Sequence, residues 1–443
     1  MARGRGTPTG VLRVSGAVAA SLLGDSVLYA VLPARFALFG VTPGLVGVLL
    51  SVNRFIRLAS NPLAAWVYLR LGFTASFLLA LLLGAATTAA YGLFPSFWLL
   101  LLARVLWGVC YSFLRLGGYL VVLEESPANA RGRLMGFFYG GQRLGSLVAV
   151  LVGGFLFDLV GRQGSFLALA ALTLSGAALV AGIPTVGKAT ALPTVAPADP
   201  HPPPRPVRDR VWWFLISWVP EFTRPQRYRF LAVSALQFAI FFTVSGLLVS
   251  TLGYLLGQRV GEGVQWGGVF LGLATFTGLL LALRWASDLM APYLGSLSDR
   301  FGRGRVVAAS LPLLAGSLLA VGLSLHLGAV LASLPFFFWA ATTATTALDA
   351  LAGDLLPPHR RLQALGRYST WADLGSATGP LAGYAAVAAV DLSWAYLTAA
   401  ALLLVGAAFF AYAFSLRQPS VKATPSPPEG PPLESDGGLS PAE

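Results

Sequence analysis

The sequence predicts an all-α polytopic membrane protein, with twelve transmembrane helices arranged as two pseudo-symmetric six-helix bundles. Three observations carry that prediction. Of 443 residues, 56% are hydrophobic and only 11% are charged, against about 25% charged in an ordinary soluble domain. Apolar runs of the roughly 20 residues that span a bilayer recur from Val11 to Leu416. Finally, a shift of 230 residues lays Arg54 on Arg284, Pro62 on Pro292, Arg70 on Arg300, Gly72 on Gly302, Pro127 on Pro357, Arg131 on Arg361, Gly136 on Gly366 and Leu144-Gly145-Ser146 on Leu374-Gly375-Ser376. The composition excludes a soluble enzyme, and 28 Phe, 13 Tyr and 11 Trp exclude disorder for the body of the chain. A single cysteine, Cys110, excludes an intramolecular disulfide or a Cys-based metal cage.

Taken in order, the spans fall at 11–38, 43–68, 74–94, 97–122, 134–157 and 165–184, then at 229–256, 265–294, 305–326, 330–352, 366–390 and 393–416. The first could pass for a signal peptide, since Arg3, Arg5 and Arg13 precede an apolar stretch. Asp25 follows, however, and the apolar run resumes to Leu38, which fits a retained helix better. Strands of a β-barrel would alternate polar and apolar residues, and runs such as 77–83 and 399–410 do not. Residues 1–184 therefore read as the first six-helix bundle and 229–416 as the second. Between them, 185–228 is a Pro- and Arg-rich linker expected in the cytoplasm, and 417–443 is a Pro-, Ser- and Glu-rich tail expected to be disordered and cytoplasmic. Within the linker, 211–219 carries Trp212, Trp213 and Trp218. It is too short to cross a bilayer but suits a helix lying in the headgroup layer or against the bundle ends.

The net charge of +12 has a topological explanation. With a cytoplasmic N-terminus, 20 of the 30 basic residues fall in cytoplasmic segments and only Arg162 and Arg259 in outer loops. That bias places both termini in the cytoplasm, in the inner or plasma membrane of the cell. Because six helices are an even number, both repeats enter the membrane in the same direction. They relate by an axis along the membrane normal, with a site expected between the halves.

Between spans eight and nine, Gly295-Ser-Leu-Ser-Asp299-Arg300-Phe-Gly302-Arg303-Gly-Arg305 resembles the G-x-x-x-D-R-x-G-R loop of the major facilitator superfamily of secondary transporters. The first-half copy keeps Arg70 and Gly72, while Ala65, Leu69 and Phe73 replace the Gly, Asp and second Arg. Arg104 and Gly108 are similar to that family's R-x-x-x-G. Its G-x8-G-x3-G-P-x2-G pattern is full on span eleven (Gly366, Gly375, Gly379, Pro380, Gly383) and broken on span five, where Ala149 and Val150 stand in for the Gly-Pro pair. The resemblance covers about residues 11–416. It implies alternating access without ATP hydrolysis, a small-molecule substrate, protons as coupling partner, a monomer in the lipid bilayer, and no cofactor or enzymatic activity. It also assigns conformational gating to Arg70, Gly72, Gly295, Asp299, Arg300, Gly302 and Arg303, with Arg284 and Asp288 added here as an i,i+4 pair. A non-transporting sensor or scaffold, and efflux of hydrophobic drugs, are the alternatives.

Charged residues inside helices cost roughly 2.5–3.5 kcal/mol each on an insertion scale, so several together imply a wet or paired interior. Arg54, Arg57 and Asn61 share one face of span two, and Arg104, Gly108, Tyr111 and Arg115 share one face of span four. Span five adds Tyr139, Gln142, Arg143 and Ser146. Against five arginines, the one acid well inside a first-half span is Asp25. The surplus points to an anionic or amphiphilic substrate. Asp25 facing Arg104 is the leading protonation site, because spans one, four, seven and ten line the cavity in the family it resembles. Asp288, Asp349 and Asp373 follow. Register under the repeat suggests that Arg143 pairs with Asp373, and proximity suggests that Glu124 and Glu125 meet Arg131 or Arg133.

Three other signals fail. Gly182 to Lys188 spells most of a phosphate-binding G-x-x-x-x-G-K, but Ala189 follows instead of Ser or Thr, and Pro184 interrupts it. His201, His326 and His359 lack metal-ligand spacing, and the basic linker contains no nucleic-acid module.

Overall fold

Inside a bilayer no water competes for backbone amides, so each spanning segment closes its own hydrogen bonds as a helix. The computed structural model describes residues 9–126, 130–180, 223–324, 326–356 and 361–415. The tail at 417–443, the tryptophan segment at 211–219, His201 and His359 all lie outside the described residues.

Helix α1 (Thr9–Ala34) ends in a 3-10 turn, Phe36–Phe39, closed by Gly40. Pro43 then opens α2 (Pro43–Leu71) at a position where the amide it lacks would have no helical partner. Gly72, at φ +77°, separates α2 from α3 (Phe73–Leu93), and α4 is Phe97–Glu125. One helical run, Arg131–Val180, bends at Gly161 into α5 (131–160) and α6 (162–180), where two separated spans were expected. Thr223 and Gln226 form a reciprocal capping box at the start of α7, which runs Arg224–Phe241, through a π-helical stretch Phe242–Leu248, to Val249–Val260. Helix α8 comprises Leu273–Leu289 and, past Met290, Ala291–Phe301. Gly302, at φ +90°, leads into α9 (Arg303–Leu323), followed by α10 (Leu327–Leu355), α11 (Arg361–Ala389) and α12 (Leu392–Ser415).

Span eight, expected from 265, instead begins with an antiparallel hairpin of β1 (Gly263–Trp266) and β2 (Val269–Gly272). Its turn is Gly267-Gly268, both at positive φ, as a two-residue hairpin turn requires. Apolar content alone hid this break.

Eight helical stretches among the described residues are long and apolar enough to cross a membrane. Large side chains such as Leu79, Trp98, Phe155 and Val405 point outward, as lipid-facing residues do. The repeat survives folding. Positions 61–70 and 291–300 share one pattern of burial, with Ala64 and Tyr68 buried where Leu294 and Ser298 are, and Arg70 exposed where Arg300 is.

The halves meet along three seams, α1 against α7 and α8, α2 against α11, and α5 against α8. The α5/α8 seam is a backbone-to-backbone approach. A Cβ on Gly278 would fall 2.0 Å from the Val150 carbonyl oxygen, and one on Gly154 2.5 Å from that of Ala274. These close approaches lie toward the end that carries the 3-10 turn and the hairpin. There Arg35 pairs with Glu262, and Asp158 of α5 accepts the Thr275 amide (2.7 Å) and hydroxyl (2.6 Å) at the start of α8. The Gly72 and Gly302 loops lie at the opposite end.

Candidate functional site

Packing of α1, α2 and α4 brings the polar stripes together. Asp25 and Arg104 form a buried salt bridge, as their placement on facing helices predicts. Arg104 is fully buried. Its Nε donates to the Leu49 carbonyl (2.9 Å), one terminal nitrogen donates to the Tyr29 hydroxyl (3.4 Å), and Asn53 donates to Asp25 (3.4 Å). This arginine is neutralised, and its acid is consumed in doing so.

The others are not. Arg54 donates to the backbone carbonyl of Ser376 on α11 (3.0 Å), with its guanidinium 5.4 Å from the Tyr29 ring centre. Arg57 lies 4.2 Å over the Tyr111 ring, and its Nε is buried without a hydrogen-bond partner. Arg115 sits 5.8 Å from the same ring and donates to Asn61 (3.2 Å). The Tyr111 hydroxyl in turn donates to Gln142 (3.1 Å), whose own amide nitrogen is buried and unpartnered. Among the described residues no carboxylate reaches ion-pairing distance of Arg54, Arg57 or Arg115. Ring faces soften the charges, at about 0.5–2 kcal/mol each, without cancelling them.

In the second half, Asp288 binds Arg284 on its own helix, the Thr342 hydroxyl (3.1 Å) and, from the first half, Arg143 Nε (3.4 Å). Arg143 therefore pairs with Asp288, not with Asp373 as register suggested. The reason is topological. Helix α5 seams against α8 while α11 seams against α2, so equivalent positions on α5 and α11 do not meet. Asp373 lies instead within Coulombic reach of Arg115. Asp349 accepts from Tyr368 (2.9 Å) and Gln237 (3.2 Å), lies within Coulombic reach of Arg143, and is exposed despite its place inside α10. Glu125, expected to meet Arg131 or Arg133, accepts the Val11 amide (3.2 Å) and so ties α4 to the start of α1.

At the loop end, Arg303 binds Asp299 (3.1 Å), Asp354 and the Ala350 carbonyl (2.9 Å), so it clamps α8 to the end of α10. In the equivalent region of the first half, among the described residues, Phe73 replaces Arg303 and Arg70 lies 5.5 Å from the Trp66 ring. Gly72 and Gly302 occupy backbone conformations that few other residues tolerate. Arg300 and Gly295 lie on the same short helix.

Asn53 is visible in the sequence as a polar residue of span two and Ser376 as part of the repeat, but their contacts are not, and Tyr29, Gln237 and Tyr368 were not singled out. Tyr29 was visible in principle, four residues from Asp25 and so on its face, and Gln237 as the amide interrupting the apolar run of span seven. Nothing in the sequence marks Tyr368 or the Ser376 carbonyl. Among the described residues no three His, Cys, Asp or Glu side chains cluster as a metal site would.

A family model described as the Major Facilitator Superfamily matches residues 14–290 and 285–440. The chain is 30% identical over 135 residues to the chromaffin granule amine transporter of Rattus norvegicus, covering 30% of this chain and 26% of that protein. It is 29% identical over 139 residues to the vesicular acetylcholine transporter of the same species, covering 31% and 26%. The matched region thus spans about a quarter of these relatives' length. Among solved structures, a bacterial homologue of the human lysosomal transporter Spinster, in an inward-facing conformation, matches with a TM-score of 0.68 at 16% identity over 92% of this chain and 97% of that one. A peptide transporter in complex with alafosfalin matches at 0.72 and 16% over 93% and 96%. The human organic anion transporter TETRAN matches at 0.59 and 20% over 91% and 99%.

Proposed function

The chain belongs to the Major Facilitator Superfamily, and from that premise we propose that it carries a small organic anion across the membrane by alternating access, coupled to protons. One observation carries the substrate reading: Arg54, Arg57 and Arg115 stand around Tyr29 and Tyr111 with no carboxylate of the described residues at ion-pairing distance. A cationic cluster in a low-dielectric wall is tolerable when a mobile anion completes it. The planar guanidinium forks suit carboxylate, sulfonate or phosphonate oxygens.

Asp25 is the proposed proton site. Protonating it removes the charge that holds Arg104, which frees a fourth guanidinium beside Tyr29 and raises the cavity's affinity for an anion. Substrate and proton then favour each other's binding. The seams close the end at the hairpin, which the distribution of basic residues makes the outer face. The gate at the other end is the Gly302 loop with its Arg303 clamp, and to a lesser degree the Gly72 loop. Both termini are proposed to lie in the cytoplasm.

Reconstituted uptake tests this directly. Proteoliposomes should take up organic anions in preference to cations of equal size, and an imposed pH gradient should accelerate the uptake. A clear preference for cations refutes the anion reading, and indifference to the gradient refutes the coupling.

A further inference from the structure

The unmet hydrogen-bonding groups beside Tyr111 and those beside Asp349 are of opposite kind. On the first-half wall the buried unpartnered groups beside Tyr111 are donors, Arg57 Nε and the Gln142 amide nitrogen. Beside Asp349 the situation is inverted. Gln237, on α7, is buried and gives its amide nitrogen to Asp349, which orients its amide oxygen away from the carboxylate, and that oxygen has no partner. Asp349 is held by two neutral donors, the Gln237 amide and the Tyr368 hydroxyl, and among the described residues no cation reaches ion-pairing distance of it. It is exposed, and its partners come from α7 and α11, so its open face turns to the inner side of the second bundle.

A carboxylate with an open face beside an orphaned amide oxygen calls for a ligand that is all donor. An ammonium group meets that need, since it brings a positive charge and several N–H bonds and accepts none. An anion or a neutral hydroxyl would leave the charge unanswered.

We propose that the substrate is a zwitterion, with its anionic end on Arg57 and Arg115 and its ammonium end on Asp349 and Gln237. This rests on the anion reading above and adds a second subsite to it. Tyr368 positions Asp349 and does not itself carry the charge recognition.

The test uses the purified full-length chain and a series of ω-amino carboxylates of increasing length, each matched with the carboxylate that bears methyl in place of ammonium. Binding is read by tryptophan fluorescence. At the best length, wild type should prefer the amino carboxylate by about tenfold or more, the scale of one charge-assisted hydrogen bond, and Asp349→Asn should bring that ratio close to one. Gln237→Leu deletes the orphaned acceptor without altering charge and should narrow the ratio severalfold; it serves if Asp349→Asn does not fold. Carboxylates that bind wild type with no preference for the ammonium overturn the second subsite and leave the anion reading standing. If no carboxylate of either kind binds, the anion reading itself falls. If the preference persists in the variants, the ammonium site is misplaced.

Discussion

Replacing Arg57 by glutamine removes the guanidinium closest to an aromatic face while keeping a polar side chain of similar reach. Arg57 lies 4.2 Å over Tyr111 and has one buried donor without a partner, so in the absence of ligand it is a charge stabilised mainly by a ring. That stabilisation amounts to about 2 kcal/mol for a desolvated stack. The bond it would make to a substrate oxygen is charge-assisted and contributes about 1.5–3 kcal/mol. Losing it should raise the half-saturation concentration for an anion between about tenfold and a hundredfold, at roughly 1.4 kcal/mol per decade. Arg57→Lys keeps the charge but loses the planar fork and the stack, and should recover only part of the loss. Because Arg115 approaches the same ring at 5.8 Å, the double substitution should fall short of the sum of the singles. The assay is the initial rate of anion uptake into proteoliposomes over a concentration series, with thermal unfolding in detergent as a folding control. A half-saturation concentration unchanged in a folded Arg57→Gln protein would refute the assignment.

Asp25→Asn leaves Arg104 buried without its counter-charge, which should destabilise the chain by about 3–5 kcal/mol and abolish acceleration by a pH gradient; adding Arg104→Leu should restore thermal stability but not the pH response. Gly278→Val drives a side chain into the Val150 carbonyl, 2.0 Å from the first added carbon, and should hold α5 and α8 apart. Cysteine cross-linking across that seam should then fail, and transport should fall below a tenth of wild type, roughly 1.4 kcal/mol on the barrier. Arg303→Lys keeps a positive charge at the membrane surface but cannot fork between Asp299, Asp354 and the Ala350 carbonyl. If the residue is a latch, uptake should drop severalfold; uptake equal to wild type would reduce the residue to an anchor.

The twelve-helix architecture was legible because bilayer physics leaves few options. An apolar run of sufficient length must become a helix, and the 230-residue repeat exposes two copies of one bundle. The Asp25 pair with Arg104 was legible through the resemblance, which implies that spans one and four both line the cavity; elimination alone leaves five arginines for one acid. Legibility failed where the answer depended on which helices touch. Register placed Arg143 opposite Asp373, yet α5 seams against α8, so Arg143 finds Asp288. Hydropathy ran span eight through Gly267 and Gly268, where two positive-φ residues build a hairpin. Gln237 and Tyr368 come from different helices and converge on Asp349 only in three dimensions.

Two of the seams differ in a way that bears on coupling. Among the described residues, each is crossed by one arginine of the first half. Arg143 crosses α5/α8 to a carboxylate, Asp288, that is also held by Arg284 and Thr342. Arg54 crosses α2/α11 to a neutral backbone carbonyl, that of Ser376. Both bonds have an ionised donor, but the one to Asp288 adds the Coulombic attraction of an opposite charge, which a neutral carbonyl lacks. An arriving anion therefore competes poorly for Arg143 but well for Arg54. Under the proposed function, substrate binding would draw Arg54 off Ser376 and loosen the α2/α11 seam while α5/α8 stays tied. Opening would then begin on one side of the molecule, with the occupied arginine cluster as its cause.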